Sequence, residues 1–594
     1  MINQFVIKSF LWLIAIICLF VGMYVAINHS HQLLLDYNYS LAPLGDQAQD
    51  MAQVIYPILT SEKSWNYLFM PFADHRIVIE RLLIMYDFFV HQGLESGHPY
   101  RVVSVFWSIF VLFSGIIFLI KKIPLFVKLL IIGCAATLIF AGVSVSNFFL
   151  TICFTWPLVM LFSLLSFITV SYYCYAYEHN QSTFALIGLL FTSILIVLTL
   201  FTFNIGLILW PIIFIVLFKR KVWRRHILLW TGMAALSYVA YFWSGWHPGV
   251  TATDQGLKNS IFNPIHPFLF MSRILSIPLI SNASTTVTLG VILIGVAISL
   301  FSMVFLIKYW KLKRWTASDT VIFSYLLFCF ASLVIISIMR SWIVGEYAEV
   351  GGRFVTSSLV LWLCLLASIC IFYYRSKTHS YGIMSCLLLS VIFIWLVVFF
   401  IPADRGVYNA SVSNQHAIAL STQIPVNKAF IDYSKTYANG DENTADHIYI
   451  DQVYRKYQKG IYTLWPAKQV NQFLNEMKFS LLPLCPSDDV IITSDLRTKG
   501  NPAVFIQTRF PTSWQLMQWN LIFTDQSSKI VGYSLPLVNT EEDLWKRFFH
   551  FKQAKKPQIW QGVINSSLIR GHSIQTWLVN YQNKTMCKTN TFII

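Results

Sequence analysis

The chain has 594 residues, of which 56% are hydrophobic and only 12% charged, with a mean hydropathy of +0.60. A soluble globular protein carries about 25% charged residues, so this composition excludes a wholly soluble chain. The net charge of +16 would suit nucleic acid in a soluble protein, but here the basic residues cluster in short loops between apolar runs, which is a mark of membrane topology.

The charge deficit lies between Met1 and Ile401, and from Pro402 onward the sequence reads as an ordinary soluble domain. Phe5 to Ile27 is apolar and long enough to cross about 30 Å of hydrocarbon. With no small-residue cleavage site and further spans behind it, this run is predicted to remain as a first helix. A polar, aromatic-rich segment at residues 28–100 follows as a first external loop.

Further spans are predicted at Val102–Ile120, Phe126–Val145 and Pro157–Tyr177. Ala185–Leu200 and Leu207–Phe218 form two more, joined by a short turn near Asn204. After the basic run Lys219, Arg220, Lys221, Arg224, Arg225 comes Ile227–Trp243, and then a second polar loop at residues 244–286. Val287–Ile307, Val321–Met339, Val355–Tyr374 and Ile383–Ile401 complete about eleven spans, with a Gly- and charge-rich loop at residues 340–354.

An N-terminus in the cytoplasm places the basic groups at Lys121, Lys219, Lys308 and Arg375 on the cytoplasmic side. The long loops and residues 402–594 then lie outside, which for a bacterial inner membrane means the periplasm. The fold class expected is therefore a polytopic α-helical membrane domain, residues 1–401, carrying an α+β periplasmic domain.

In that second domain, short apolar runs bounded by turn residues predict strands at Val490–Ser494, Ala503–Thr508, Ile530–Ser534, Gln558–Val563 and Ile574–Tyr581. They point to a β-sandwich with helical insertions such as Ala467–Met477. Eight of the ten cysteines fall in apolar segments and act as small hydrophobes. Cys485 and Cys587 are the exceptions, and a location outside the cytoplasm would permit a disulfide between them.

The first external loop concentrates the candidate chemistry. It holds Gly45-Asp46-Gln47, then Asp50, an aromatic stretch from Trp65 to Phe72, and Asp74-His75-Arg76-Ile77. From Ile77 to Phe89 the apolar residues recur at helical spacing, which suits a helix lying on the membrane surface. A carboxylate at that interface can serve as a base toward an acceptor hydroxyl or as a ligand for a divalent cation such as Mg2+ or Mn2+. Equally, Asp46 can cap a helix that starts near Gln47. Arg76, Arg340 and Arg353 fall on the same predicted face, together with His75, and an arginine fork matches phosphate oxygens. These arginines can also anchor helix ends at headgroup level or pair with Glu346 and Glu349. Arg273, in the second polar loop, is a further cationic candidate.

One transmembrane helix, a large first loop with an acid near its start, interface helices and an external C-terminal domain resemble the GT-C superfamily of integral-membrane glycosyltransferases. Asp74-His75-Arg76-Ile77 with Arg81-Leu82, and the late loop Arg340–Phe354 with Gly351-Gly352-Arg353-Phe354, are similar to loop motifs of bacterial members. The resemblance covers Met1 to Ile401. It implies inverting transfer of a sugar from a polyprenyl-phosphate donor to an envelope glycan or lipid on the periplasmic face. Asp46 would then be the base or metal ligand, with Asp50 in support, and His75, Arg76, Arg340 and Arg353 would bind the donor phosphate. Many relatives carry two adjacent acids where this chain has Asp46-Gln47. That departure bears on metal use and keeps a non-catalytic scaffold as one alternative. A transporter or flippase of lipid-linked sugar is the other, and it would need ionisable residues within the spans.

Overall fold

The computed structural model describes residues 4–37, 49–72, 75–91, 98–121, 123–141, 154–222, 224–243, 253–280, 288–344, 352–375 and most of 390–396. Beyond these it describes a few residues between 449 and 457, together with 472–482, 491–495, 503–510, 519–537, 558–565, 573–580 and 583–593. The chain divides into two compact units. The first comprises Met1–Leu33, Leu68–Leu82 and His98–Tyr408, and the second Leu34–Tyr67, Leu83–Gly97 and Asn409–Ile594.

The first unit is a helical membrane domain. Its long helices are α1 (Gln4–Tyr37), α3 (His98–Leu119), α5 (Thr155–Glu178), α6 (Ser182–Thr202), α11 (Leu289–Lys311), α12 (Ala317–Val344) and α13 (Gly352–Arg375). Each contains an apolar stretch able to cross a bilayer, so the chain is a multi-pass membrane protein with seven such spans among the described residues. Shorter helices lie between them. These are α2 (Val78–Val90), whose residues after Leu82 belong to the second unit, α4 (Leu125–Ile139), α7 (Leu209–Lys219), α8 (Arg224–Phe242), α9 (Thr253–Phe262) and α10 (Ile265–Ser276).

Eleven predicted spans thus meet seven helices of full crossing length. The third expected span is the 15-residue α4 and the sixth the 11-residue α7. The seventh is α8, whose first turn carries Arg224, Arg225 and His226. Most of the eleventh lies outside the described residues.

The turn expected near Asn204 is a 3-10 segment, Asn204–Ile208, that reverses the chain between α6 and α7. Glycine is required there: a Cβ on Gly206 would stand 2.7 Å from the Leu200 backbone nitrogen. Another close approach joins α1 to α4, where a Cβ on Gly133 would lie 2.6 Å from the Cys18 carbonyl oxygen. With no hydrophobic drive between helices in lipid, such small-residue contacts let backbones approach and gain dispersion energy. Burial orders the bundle: α13 is almost wholly enclosed, while α1 and α11 expose most of their surfaces.

The second unit carries one eight-stranded sheet. Its strands are β1 (Ser480–Leu481), β2 (Ile491–Asp495), β3 (Ala503–Phe510), β4 (Trp519–Thr524), β5 (Ile530–Leu537), β6 (Gln558–Asn565), β7 (Ser573–Asn580) and β8 (Thr585–Ile593). The order across the sheet is β1-β8-β7-β4-β5-β6-β3-β2, and every pair is antiparallel except β1 with β8. All five predicted strands are present, but the ladder is continuous, where a sandwich needs two facing sheets. Leu474, Met477, Ile522, Ile530 and Val579 form a core on this sheet, with Trp577 packed beside it and donating from Nε1 to Thr524 Oγ1 at 3.1 Å. The helix expected over Ala467–Met477 is, among its described residues, only the 3-10 turn Leu474–Glu476. Cys587 on β8 is disulfide-bonded, whereas Cys18, Cys134, Cys174, Cys329, Cys364 and Cys370 are free and buried. Cys485 lies outside the described residues.

The same unit gathers first-loop residues. Tyr56 of the short helix Tyr56–Leu59 packs against Phe88, with ring centres 5.6 Å apart. Tyr449 Oη donates to Glu62 Oε1 at 3.0 Å, and Tyr457 meets the edge of Phe88.

Candidate functional site

The segment between Leu68 and Arg81 is shaped by two buried arginines. Arg81 Nη1 donates to the carbonyls of Leu68, at 2.7 Å, and Met70. Arg76 donates through Nη1 to Phe69 O at 2.5 Å and through Nη2 to Trp243 O at 2.7 Å. Its backbone N–H meets the hydroxyl of Tyr241 on α8 at 3.3 Å, and its guanidinium lies 5.7 Å from that ring. Burial lowers the Arg76 pKa, and Tyr241 partly offsets the shift. A planar fork with several donors holds two carbonyls at once in a fixed geometry. Arg76 therefore fastens the loop to the end of α8.

That clamp leaves His75 on the wall of the bundle. Phe72 and His75 exchange backbone hydrogen bonds at 2.7 and 2.9 Å, closing a tight turn. The imidazole packs on Phe203, at the tip of the α6–α7 hairpin, with ring centres 3.9 Å apart. Phe203 in turn meets Trp156 at 4.9 Å, and Trp156 meets Phe354 at 5.6 Å. Arg340 of α12 reaches His75 across 265 positions of sequence, with Nη2 at 3.4 Å from Nε2. The guanidinium is the donor in that contact.

The position of the pair along the helices is informative. Asp319 and Arg340 are 21 residues apart on α12, about 32 Å at 1.5 Å per residue, near the thickness of the hydrocarbon layer. At the Asp319 end lie the basic loops. Arg375 Nη2 contacts Oδ1 of Asp319 at 2.7 Å and Oδ2 at 2.9 Å, and Arg220 pairs with Glu178 at 3.0 Å. Hence His75 and Arg340 meet at the opposite end of the bundle.

The other candidates are placed as follows. Asp46 and Asp74 lie outside the described residues. Asp50 is fully buried and precedes the π-helical turn Met51–Ile55, to which its side chain gives no cap hydrogen bond. Arg353 falls in the first turn of α13 by its backbone, and its side chain is outside the described ones, as are Glu346 and Glu349. Arg273 is buried on α10, and burial lowers its pKa. Among the described residues, no group of three or more His, Cys, Asp or Glu side chains is placed to hold a metal ion.

Sequence reasoning brought His75 and Arg340 to one face but missed the aromatic wall of Phe203, Trp156 and Phe354. The signal available for it was position: each lies at a helix end on the same predicted side. No protein-family model matches the chain, and no curated protein and no solved structure matches it either.

Proposed function

We propose that the chain is a membrane glycosyltransferase of the GT-C kind. In this reading it moves a sugar from a polyprenyl-phosphate donor to an envelope glycan or lipid on the periplasmic face of a bacterial inner membrane, with inversion. The observation that carries it is the meeting of His75 and Arg340 at 3.4 Å on an aromatic wall, at the end of the bundle away from the basic loops. A guanidinium beside an imidazole suits a ligand with phosphate oxygens, because both groups can donate to it.

Each residue then has a task. Arg340 and a protonated His75 neutralise the donor phosphate as the glycosidic bond to it breaks, and Arg353 supplements them. Arg76 positions His75 by holding the loop, since its own guanidinium is committed to two carbonyls. Asp46 takes the proton from the acceptor hydroxyl, and Asp50 supports that acid. The aromatic residues keep water from the donor and offer faces to a sugar ring or an isoprenoid. The disulfide of Cys587 supports placing the sheet-bearing unit outside the cytoplasm, where disulfides persist.

The test compares envelope glycolipids from cells with wild type, Asp46→Asn or no copy of the gene. Loss of the same glycoform in the Asp46→Asn and null strains, at normal expression, supports transfer, and the missing mass identifies the sugar. A wild-type profile for Asp46→Asn beside an altered null strain removes Asp46 from catalysis and favours a scaffold. Transport is disfavoured by the described spans. Their acids, Glu178 and Asp319, sit at helix ends, and interior hydroxyls such as Thr192 and Ser302 donate to carbonyls of their own helices.

A further inference from the structure

Two basic loops far apart in sequence form one surface. Lys219, at the end of α7, donates from Nζ to the Trp310 carbonyl at 2.5 Å and lies 4.9 Å from the centre of the Trp310 ring. Next to it, Arg220 donates to the Trp315 carbonyl and pairs with Glu178 at 3.0 Å. These contacts tie the α7–α8 turn to the α11–α12 turn, 91 and 95 positions away.

The charges brought together are one-sided. Lys221, Arg224, Lys308, Lys311, Lys313 and Arg314 are exposed and form no ion pair among the described residues. The two acids close by are already used, Glu178 by Arg220 and Asp319 by Arg375. Trp310, half-exposed, lies among them.

Depth selects the partner. α5 ends at Glu178, α11 ends at Lys311 and α12 begins at Ala317. The ends of three spanning helices therefore place this surface at headgroup level, where a half-exposed tryptophan is at home. A soluble anion would meet the same cations, but only a lipid phosphate is present at that depth at high local concentration.

We propose that the joined α7–α8 and α11–α12 turns form a binding site for the phosphate of anionic phospholipids, separate from the His75–Arg340 pair. The H-bonds of Lys219 and Arg220 build the platform, and the exposed lysines and arginines contact the headgroups. Each such charge contributes about a fivefold preference for anionic over zwitterionic lipid, so three of them contribute about a hundredfold.

The experiment uses the full chain in nanodiscs of phosphatidylcholine with a minor fraction of phosphatidylglycerol, and native mass spectrometry of the lipids it retains. Wild type is compared with Arg224→Gln/Lys311→Gln/Lys313→Gln and with a control of equal charge change in the other unit, Lys478→Gln/Lys584→Gln/Lys588→Gln. The expected result is enrichment of phosphatidylglycerol on wild type and control, reduced by at least tenfold in the first variant. Equal enrichment in all three, or none on wild type, overturns the proposal. A salt titration of wild type supplies a measurement free of folding effects: enrichment must fall steeply as salt rises, and salt-independent enrichment also overturns it. Inorganic phosphate added at millimolar concentration must leave the lipids in place, and their displacement would assign the surface to a soluble anion.

Discussion

The two ends of α12 handle charge in opposite ways. At its start, Asp319 closes a reciprocal cap with Thr316, accepting from its backbone N–H at 2.8 Å and its hydroxyl at 2.7 Å, and also binds Arg375. Every strong partner there belongs to the protein, so the arrangement is complete without a ligand. About 32 Å away, Arg340 meets His75 of the first-loop segment instead. One end of α12 thus carries an ion pair closed within the frame, while the other carries a guanidinium–imidazole contact, both of whose groups can donate to an anion.

Substitutions break or sharpen this contrast. Arg340→Ala should lower sugar transfer by about a hundredfold or more, as loss of a charge-stabilising donor does in other sites, with the protein's thermal unfolding unchanged. Transfer from labelled polyprenyl-phosphate sugar in membranes would measure it, and undiminished transfer would assign Arg340 to structure. Asp319→Asn should do the reverse. It removes the carboxylate from the partly exposed Arg375 and weakens the cap, costing about 2 kcal/mol, while activity per folded molecule is retained. A thermal-shift assay in detergent, normalised to transfer activity, separates the two effects. Gly133→Ala touches neither end. Its Cβ would push against the Cys18 carbonyl, so a loss of about 1–2 kcal/mol in thermal stability is expected, with transfer again intact in the folded fraction.

How much of this was legible in the sequence depends on whether the cause was local. The helix expected from Ile77 is α2, and the turn at Asn204 is where apolar periodicity and a short polar break put it. Five strands followed from apolar runs between turn residues. β1, only two residues long, escaped, and β4 and β8 escaped for other reasons. Trp519–Thr524 lacks a strict apolar–polar alternation, and Thr585–Ile593 is rich in Thr, Lys and Asn and acquires its strand form by pairing with β7. In the site, basic-loop parity placed His75 and Arg340 on one side, but their contact depends on the packing of α12 against distant segments. The Arg76 clamp was equally invisible, because its partners are backbone carbonyls, which every residue has. The joining of the two basic loops through Lys219 and Arg220 belongs to the same class of non-local facts.

The direct measurement of the central claim is equilibrium binding of a fluorescent polyprenyl monophosphate to the purified full chain, comparing wild type with Arg340→Ala, His75→Ala and Asp319→Asn. The expected result is loss of binding by at least tenfold in the first two variants and none in folded Asp319→Asn. Equal affinity across wild type, Arg340→Ala and His75→Ala would contradict a phosphate site at that end of the bundle.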